Sequence, residues 1–277
     1  SHQARRGISL EEAARELRYD AMAQVVSESG ADAVMVGHTS DDQVETVMMH
    51  ILRGSGLAGL AGMAKISYWH SDLGGPRMKV LRPMLGISRE ETVAYCGDQG
   101  VIPREDSTNR LVEFTRNRIR LDLLPQLRQY NTQINGALLR LSEASNEDYA
   151  YIWDQANLAR QSLVVRYEHG FALEREGFSK LAPSIKRQLV RILYQDMTGN
   201  ARDLSHYHLK TIAEISEMGV GKEVTLPKGI VFFVDYDVLR LVSTSSNSVV
   251  DYSVIYPQLL RIPGCTVLPL WEFEVKV

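Results

Sequence analysis

The sequence predicts an α/β protein whose N-terminal part is a doubly wound, mostly parallel sheet, with a helical α+β domain and a partial C-terminal domain after it. Three observations carry this. Residues 33–36, AVMV, form an apolar run without alternation, the pattern of a strand buried on both faces. Helical patterns flank that strand through short links, which is an α/β signature. The polar tract STSSNS at 243–248 separates helices and hairpins from a strand-rich end. The expected domains are 1–130 (α/β), 131–243 (helical, with a small antiparallel sheet) and 249–277 (start of a C-terminal domain).

Taken in order, Ser9 and Glu12 form a capping box for a helix to about Glu28, with Leu10, Ala13, Ala14, Leu17, Ala21 and Val25 on its inner face. After the strand, a helix over 41–53 places Val44, Val47, Met48, Ile51 and Leu52 in one stripe. Gly54, Gly56, Gly59 and Gly62 follow it. They lack the Gly-Lys-Ser/Thr ending of a phosphate loop and follow a helix where such a loop precedes one, so close packing explains them better.

Residues 64–70 and 77–81 read as short strands, and Ser88 with Glu91 opens a helix to about Gln99. Arg116, Arg118 and Arg120 alternate, so on a helix they fan around its surface. A long helix over 131–163 is expected to bridge two domains. A hairpin at 163–174, helices over 183–197 and 204–218, and strands at 222–226, 230–234 and 238–242 complete the middle.

Composition narrows the function. A net charge of −3 leaves nucleic-acid contact to a local basic patch. No apolar run reaches the length of a membrane span, and no signal peptide is visible. Cys96 and Cys265 are far apart and sit in no CxxC pattern, which argues against a disulfide framework or a zinc site and suits a reducing cytoplasm. Cys96 reads as a small buried side chain, and His206 and His208 as surface histidines.

The sharpest cluster is His38, Asp41, Asp42 and Glu45, at the carboxyl end of the expected parallel strand, where open α/β sheets place ligands. Carboxylates there can hold a phosphate-bound metal, for which Asp41 is the candidate, or capture an ammonium group. Helix capping and compensation of the macrodipole account for the same acids, more readily for Asp41 than for Glu45 a turn further in. The arginines 116–128, with Arg53 and Arg82, can meet phosphates or form an ordinary solvated face.

Four blocks in order, GHTSDDQVETVMMHILRGSGLAGLAGM (37–63), LRPMLGISREE (81–91), REDSTN (104–109) and RNRIRLDLLPQL (116–127), resemble the bacterial tRNA(Ile)-lysidine synthases. SIKRQLVRIL (184–193) and KEVTLPKGIVFFVDYDVLRL (222–241) extend the resemblance. It implies an adenine-nucleotide hydrolase-like sheet and ATP-dependent ligation of L-lysine to the wobble cytidine of the tRNA(Ile) with a CAU anticodon. ATP adenylylates the base carbonyl oxygen, and the lysine amine displaces AMP.

By that resemblance Asp42 and Glu45 contact lysine, His38 lies beside the activated base, and Arg116 and Arg120 face nucleotide or tRNA, with Arg82 and Arg53 as further contacts. ATP and Mg2+ are the implied cofactors, the cytoplasm the location, and a homodimer the expected assembly. The family's Ser-Gly-Gly-x-Asp-Ser loop is expected upstream of residue 1, which makes this sequence a truncated member that is inactive alone. Two rival readings are a tRNA-binding fragment without catalysis and a tRNA thiolation enzyme of the same ATP-pyrophosphatase group, which would use catalytic cysteines.

Overall fold

The computed structural model describes residues 10–70, 76–103, 114–201, 203–244, 265–268 and 273–276. The Ser9 capping box, the turn 71–75, the REDSTN block and most of the 243–248 linker lie outside them. The chain divides into two compact units, 1–151 and 152–277. No helix among the described residues is long and apolar enough to cross a membrane.

The first unit holds a three-stranded sheet of order β1-β3-β2, from β1 (Val34–Met35), β2 (Ile66–Trp69) and β3 (Met78–Leu81). β1 and β3 are parallel, with Val34 opposite Val80, whereas β2 and β3 form an antiparallel hairpin with Tyr68 opposite Lys79. The sheet described is therefore mixed. β1 lies at the edge of the described sheet, and of the two faces its apolar run predicted to be buried only the Val34 side is covered, by α1, while Met35 is 72% exposed.

Helix α1 (Leu10–Ser29) covers one face of this sheet, but of the predicted stripe residues whose burial is described only Ala13 is buried. Ala13, Glu16, Tyr19 and Ala23 point inward, while Leu17 and Val25 are exposed. The reason is the aromatic payload: Tyr19 meets Trp69 at 5.0 Å between ring centroids and packs with Met78 and Val80. Asp20 fixes this contact by accepting a hydrogen bond from Trp69 Nε1 at 2.8 Å.

Helix α2 (Ser40–Leu52) carries the loop glycines at its end and is followed by the single turn α3 (Leu57–Leu60). Val44, Val47 and Met48 of α2 are buried as predicted, against Ile119, Leu124 and Leu138, and Ile51 and Leu52 are exposed. Helix α4 (Arg89–Asp98) opens on the predicted Ser88–Glu91 capping box. Its Cys96 is a free thiol, half-buried rather than in the core.

Residues 115–130 form one continuous helical run: α5 (Thr115–Arg118), a π segment (Ile119–Leu123) and α6 (Leu124–Tyr130). Helix α7 (Ile134–Leu163) follows, and the division between the units falls inside it.

The second unit is a five-stranded antiparallel sheet of order β4-β5-β8-β7-β6. Its strands are β4 (Val164–Tyr167), β5 (Gly170–Glu174), β6 (Glu223–Leu226), β7 (Ile230–Val234) and β8 (Val238–Ser243), so the two predicted hairpin regions join in one sheet. After the short α8 (Arg175–Lys180), α9 (Pro183–Thr198) and α10 (His206–Ser216) supply Ile185, Leu189, Leu193 and Ile212 to one face. Alternate strand residues Phe171, Leu173, Phe232, Val234, Leu239 and Leu241 meet them.

Gly170 allows β5 to approach β8, since a Cβ there would sit 2.0 Å from the Leu241 carbonyl oxygen. His208 joins Ser205 in the cap of α10. A hairpin of β9 (Cys265–Leu268) and β10 (Phe273–Lys276) is described beyond the linker.

The choice of inner face on α1 is testable. Tyr19→Ala should cost about 3–5 kcal/mol in urea unfolding, and Leu17→Ala no more than about 0.5 kcal/mol. The opposite ranking would restore the leucine face.

Candidate functional site

The site is built at the head of α2, just past the carboxyl end of β1. Val36 N–H donates to Leu81 O at 3.0 Å and keeps the chain beside β3, and residues 37–39 then turn it into the helix. Thr39 is the N-cap, and its N–H and hydroxyl both donate to Asp42 Oδ2, at 2.8 and 3.1 Å. The cap uses one oxygen of Asp42 and leaves Oδ1 for other partners.

Four of the predicted site residues come together here. Arg116 donates from Nε to Glu45 Oε2 at 2.6 Å and from a terminal nitrogen to Asp42 Oδ1 at 3.0 Å. Arg120 donates from Nε to Glu45 Oε1 at 2.5 Å and from a terminal nitrogen to Glu45 Oε2 at 3.0 Å. Arg116 and Arg120 are four residues apart, so they share a face of the 115–130 run instead of fanning around it. The π segment begins at Ile119, between them; such bulges are frequent at functional sites.

Glu45 is 1% exposed, while the Asp42, Arg116 and Arg120 side chains are each about a quarter exposed. Two carboxylates facing two guanidinium groups balance in charge. Hydrogen bonds to charged groups contribute about 1.5–3 kcal/mol each, against a desolvation cost of several kcal/mol per buried ion. The net stabilisation is therefore modest. Fixed geometry is the stronger consequence, since Glu45 cannot change rotamer without stranding both arginines. Hydrogen bonding to Glu45 raises the pKa of Arg120 against the lowering effect of burial.

His38 stands beside this lattice. Burial lowers its pKa below the ordinary 6.5, Asp42 pulls it back up, and Arg82, Arg116 and Arg15 press it down again. The ring is neutral at pH 7, and its Nδ1 is buried without a hydrogen-bond partner among the described residues. It can accept or relay a proton.

The other predicted residues stand apart. Asp41 Oδ2 accepts from Arg89 N–H at 2.7 Å and so joins the heads of α2 and α4, a join reinforced by Ser40 N–H to Ile87 O at 2.9 Å. Among the described residues no three His, Cys, Asp or Glu side chains are grouped to hold a metal ion. Arg82 is 5% exposed and donates to Ala64 O and Ser67 Oγ, so it fastens the start of β2. Arg53 is exposed at the far end of α2, about 16 Å from Asp42 at 1.5 Å per residue.

One residue missed in the sequence organises the glycine loop. Gln43 Nε2 donates to Ser142 Oγ at 2.9 Å and to Ala61 O and Met63 O at 3.2 Å, and Oε1 accepts from Met63 N–H at 2.8 Å. Gly62 has φ +66°, and a Cβ on it would lie 2.7 Å from Gln43 Nε2. The glycine serves close packing, as its motif context predicted. No spacing rule pairs Gln43 with Ser142, but the Thr39-x-x-Asp42 box was legible by the same rule used at Ser88.

The electrostatics of His38 give a direct test. NMR should place its titration below 6.5, with Asp42→Asn moving it lower and Arg116→Gln higher. Because the unfolded chain binds the extra proton, this group's stabilising effect is complete above pH 6.5 and is lost as pH falls through the window below that value. A His38 that titrates at or above 6.5 would contradict the site geometry.

Comparison with known proteins gives the geometry a context. Residues 1–127 match the family of PP-loop domains. The chain is 37% identical over 237 residues to the tRNA(Ile)-lysidine synthase of Dehalococcoides mccartyi (strain CBDB1), covering 86% of this chain and 50% of that protein. It is 34% identical over 227 residues to that of Clostridioides difficile (strain 630), with 81% and 47% covered. With that of Geobacillus kaustophilus (strain HTA426) it shares 31% over 262 residues, with 93% and 55% covered. It thus spans about half the length of the curated relatives it matches. Over most of its own length the chain is thus similar to tRNA(Ile)-lysidine synthases, and its first 127 residues match PP-loop domains.

Proposed function

We propose that this chain carries part of the active site for ATP-dependent ligation of L-lysine to the wobble cytidine of the tRNA(Ile) with a CAU anticodon. The observation that carries the reading is the meeting of Asp42, Glu45, Arg116 and Arg120 in one charge lattice at the head of α2. The names of the relatives supply the chemistry that such a lattice would serve.

Exposure divides the roles. Asp42 is the acid that a lysine ammonium can reach, because Glu45 is buried beneath the arginines. An incoming ammonium competes with Arg116 for Asp42 Oδ1 and releases a guanidinium toward phosphate. Glu45 keeps Arg120 in place while that happens. His38, neutral at pH 7, would take the proton that the lysine amine loses as it attacks the base. ATP supplies the activation of the base carbonyl by making it carry AMP as a leaving group.

Asp41 Oδ2 accepts from Arg89 N–H at the α4 head and Oδ1 takes no part in that bond, so Asp41 keeps an oxygen that could ligate Mg2+; no step is assigned through the ion. Arg82 and Arg53 enter as outer contacts at most, the first buried and the second remote. The proposed layout keeps a catalytic region to about residue 130, a middle domain to 243 and a C-terminal domain after 249, in a cytoplasmic homodimer whose assembly light scattering decides.

Two assays test the reading. Calorimetry should show L-lysine binding to the chain, weakened about ten-fold or more by Asp42→Asn through loss of a charge-assisted contact. Labelled lysine should pass to unmodified CAU-anticodon tRNA only with ATP and the family protein at full length. Unchanged lysine affinity in Asp42→Asn removes Asp42 from the amine site.

A further inference from the structure

The outer face of the β2–β3 hairpin stands apart from the lattice. Its inner face, with Trp69, Met78 and Val80, is covered by α1. On the outer face Tyr68 is opposite Lys79, and Ile66 is opposite Leu81. Tyr68 and Ile66 are each 53% exposed. The Arg77 guanidinium lies over the Tyr68 ring, 4.0 Å from its centroid. Lys65 flanks the same strand, and neither 64–70 nor 76–82 contains an acid; Asp72, in the connecting turn, is outside the described residues.

An exposed ring with a stacked guanidinium and cross-strand lysine has the make-up of a base-stacking platform. Base–aromatic stacking needs an accessible π-face, and flanking cations follow the phosphates. Leu81 and, on β1, the 72% exposed Met35 extend this face, but its Tyr68 end carries the cations Arg77 and Lys79, and that end favours a polyanion over an apolar partner. In a chain of net charge −3, an acid-free strip marks where a polyanion can approach. We infer that the outer face of this hairpin, through Tyr68, Arg77 and Lys79, binds single-stranded RNA, stacking an unpaired base on Tyr68.

This inference rests on the RNA substrate of the proposed function and adds a contact surface to it. Binding of unmodified CAU-anticodon tRNA and of a short poly(U) strand is measured for the wild-type chain, Tyr68→Ala, Tyr68→Phe and Arg77→Gln. Tyr68→Ala should weaken both about ten-fold, whereas Tyr68→Phe keeps its ring and its affinity. Arg77→Gln should reduce the slope of log affinity against log salt by about 0.7, the loss of one single-strand phosphate contact. Trp69 fluorescence and urea unfolding should not change, because the inner face is untouched.

If wild type and all variants bind tRNA equally, the platform is wrong and the proposed function stands. Should the wild-type chain bind no RNA, the inference falls, and the lysine calorimetry decides the proposed function separately. Should tRNA binding be unaffected while a protein ligand is lost in Tyr68→Ala, the face serves a protein and the inference is overturned.

Discussion

A buried carboxylate can be kept charged only if its surroundings supply donors, and Glu45 is such a group. It lies under two guanidinium groups that arrive from more than seventy residues away, and three hydrogen bonds occupy its two oxygens. Removing either arginine leaves a charge in a place that water barely reaches. The placement of the 115–130 helical run against α2 therefore depends on this acid as well as on the Val44, Val47, Met48, Ile119 and Leu124 core. Apolar packing brings the two segments together, and the ion pairs fix their register.

Function grows from the same constraint. Under the proposed function the site accepts a cationic amine beside anionic phosphates, which needs both signs of charge, paired with each other until substrates compete for them. Asp42 and Arg116 are exposed enough to exchange partners, and Glu45 and Arg120 keep the geometry while they do. His38 senses both signs, and burial keeps it neutral, as a proton acceptor must be. The glycine run, which resembles a phosphate loop at first sight, belongs to the scaffold through Gln43.

Elements with a strong local rule were legible in the sequence. The Ser88–Glu91 cap, helix α9 and the strands β7 and β8 depend on neighbours in the chain, and they came out as predicted. Long-range choices did not. Leu17 and Val25 outrank Ala23 in hydrophobicity, yet Tyr19 and Trp69 decide which side of α1 faces the sheet. Arg116 and Arg120 had no visible partner, since a sequence carries no distance between residue 45 and residue 120. Nor could spacing show that Asp41 reaches the head of a neighbouring helix while Asp42 divides its oxygens between the Thr39 cap and Arg116.

A double-mutant cycle on Glu45→Gln and Arg120→Gln, read by urea unfolding, tests the central claim most directly. A locked, desolvated pair predicts a coupling energy of at least about 1.5 kcal/mol. A coupling within about 0.3 kcal/mol of zero would mean that the two side chains act independently, and the lattice would not be what holds the site.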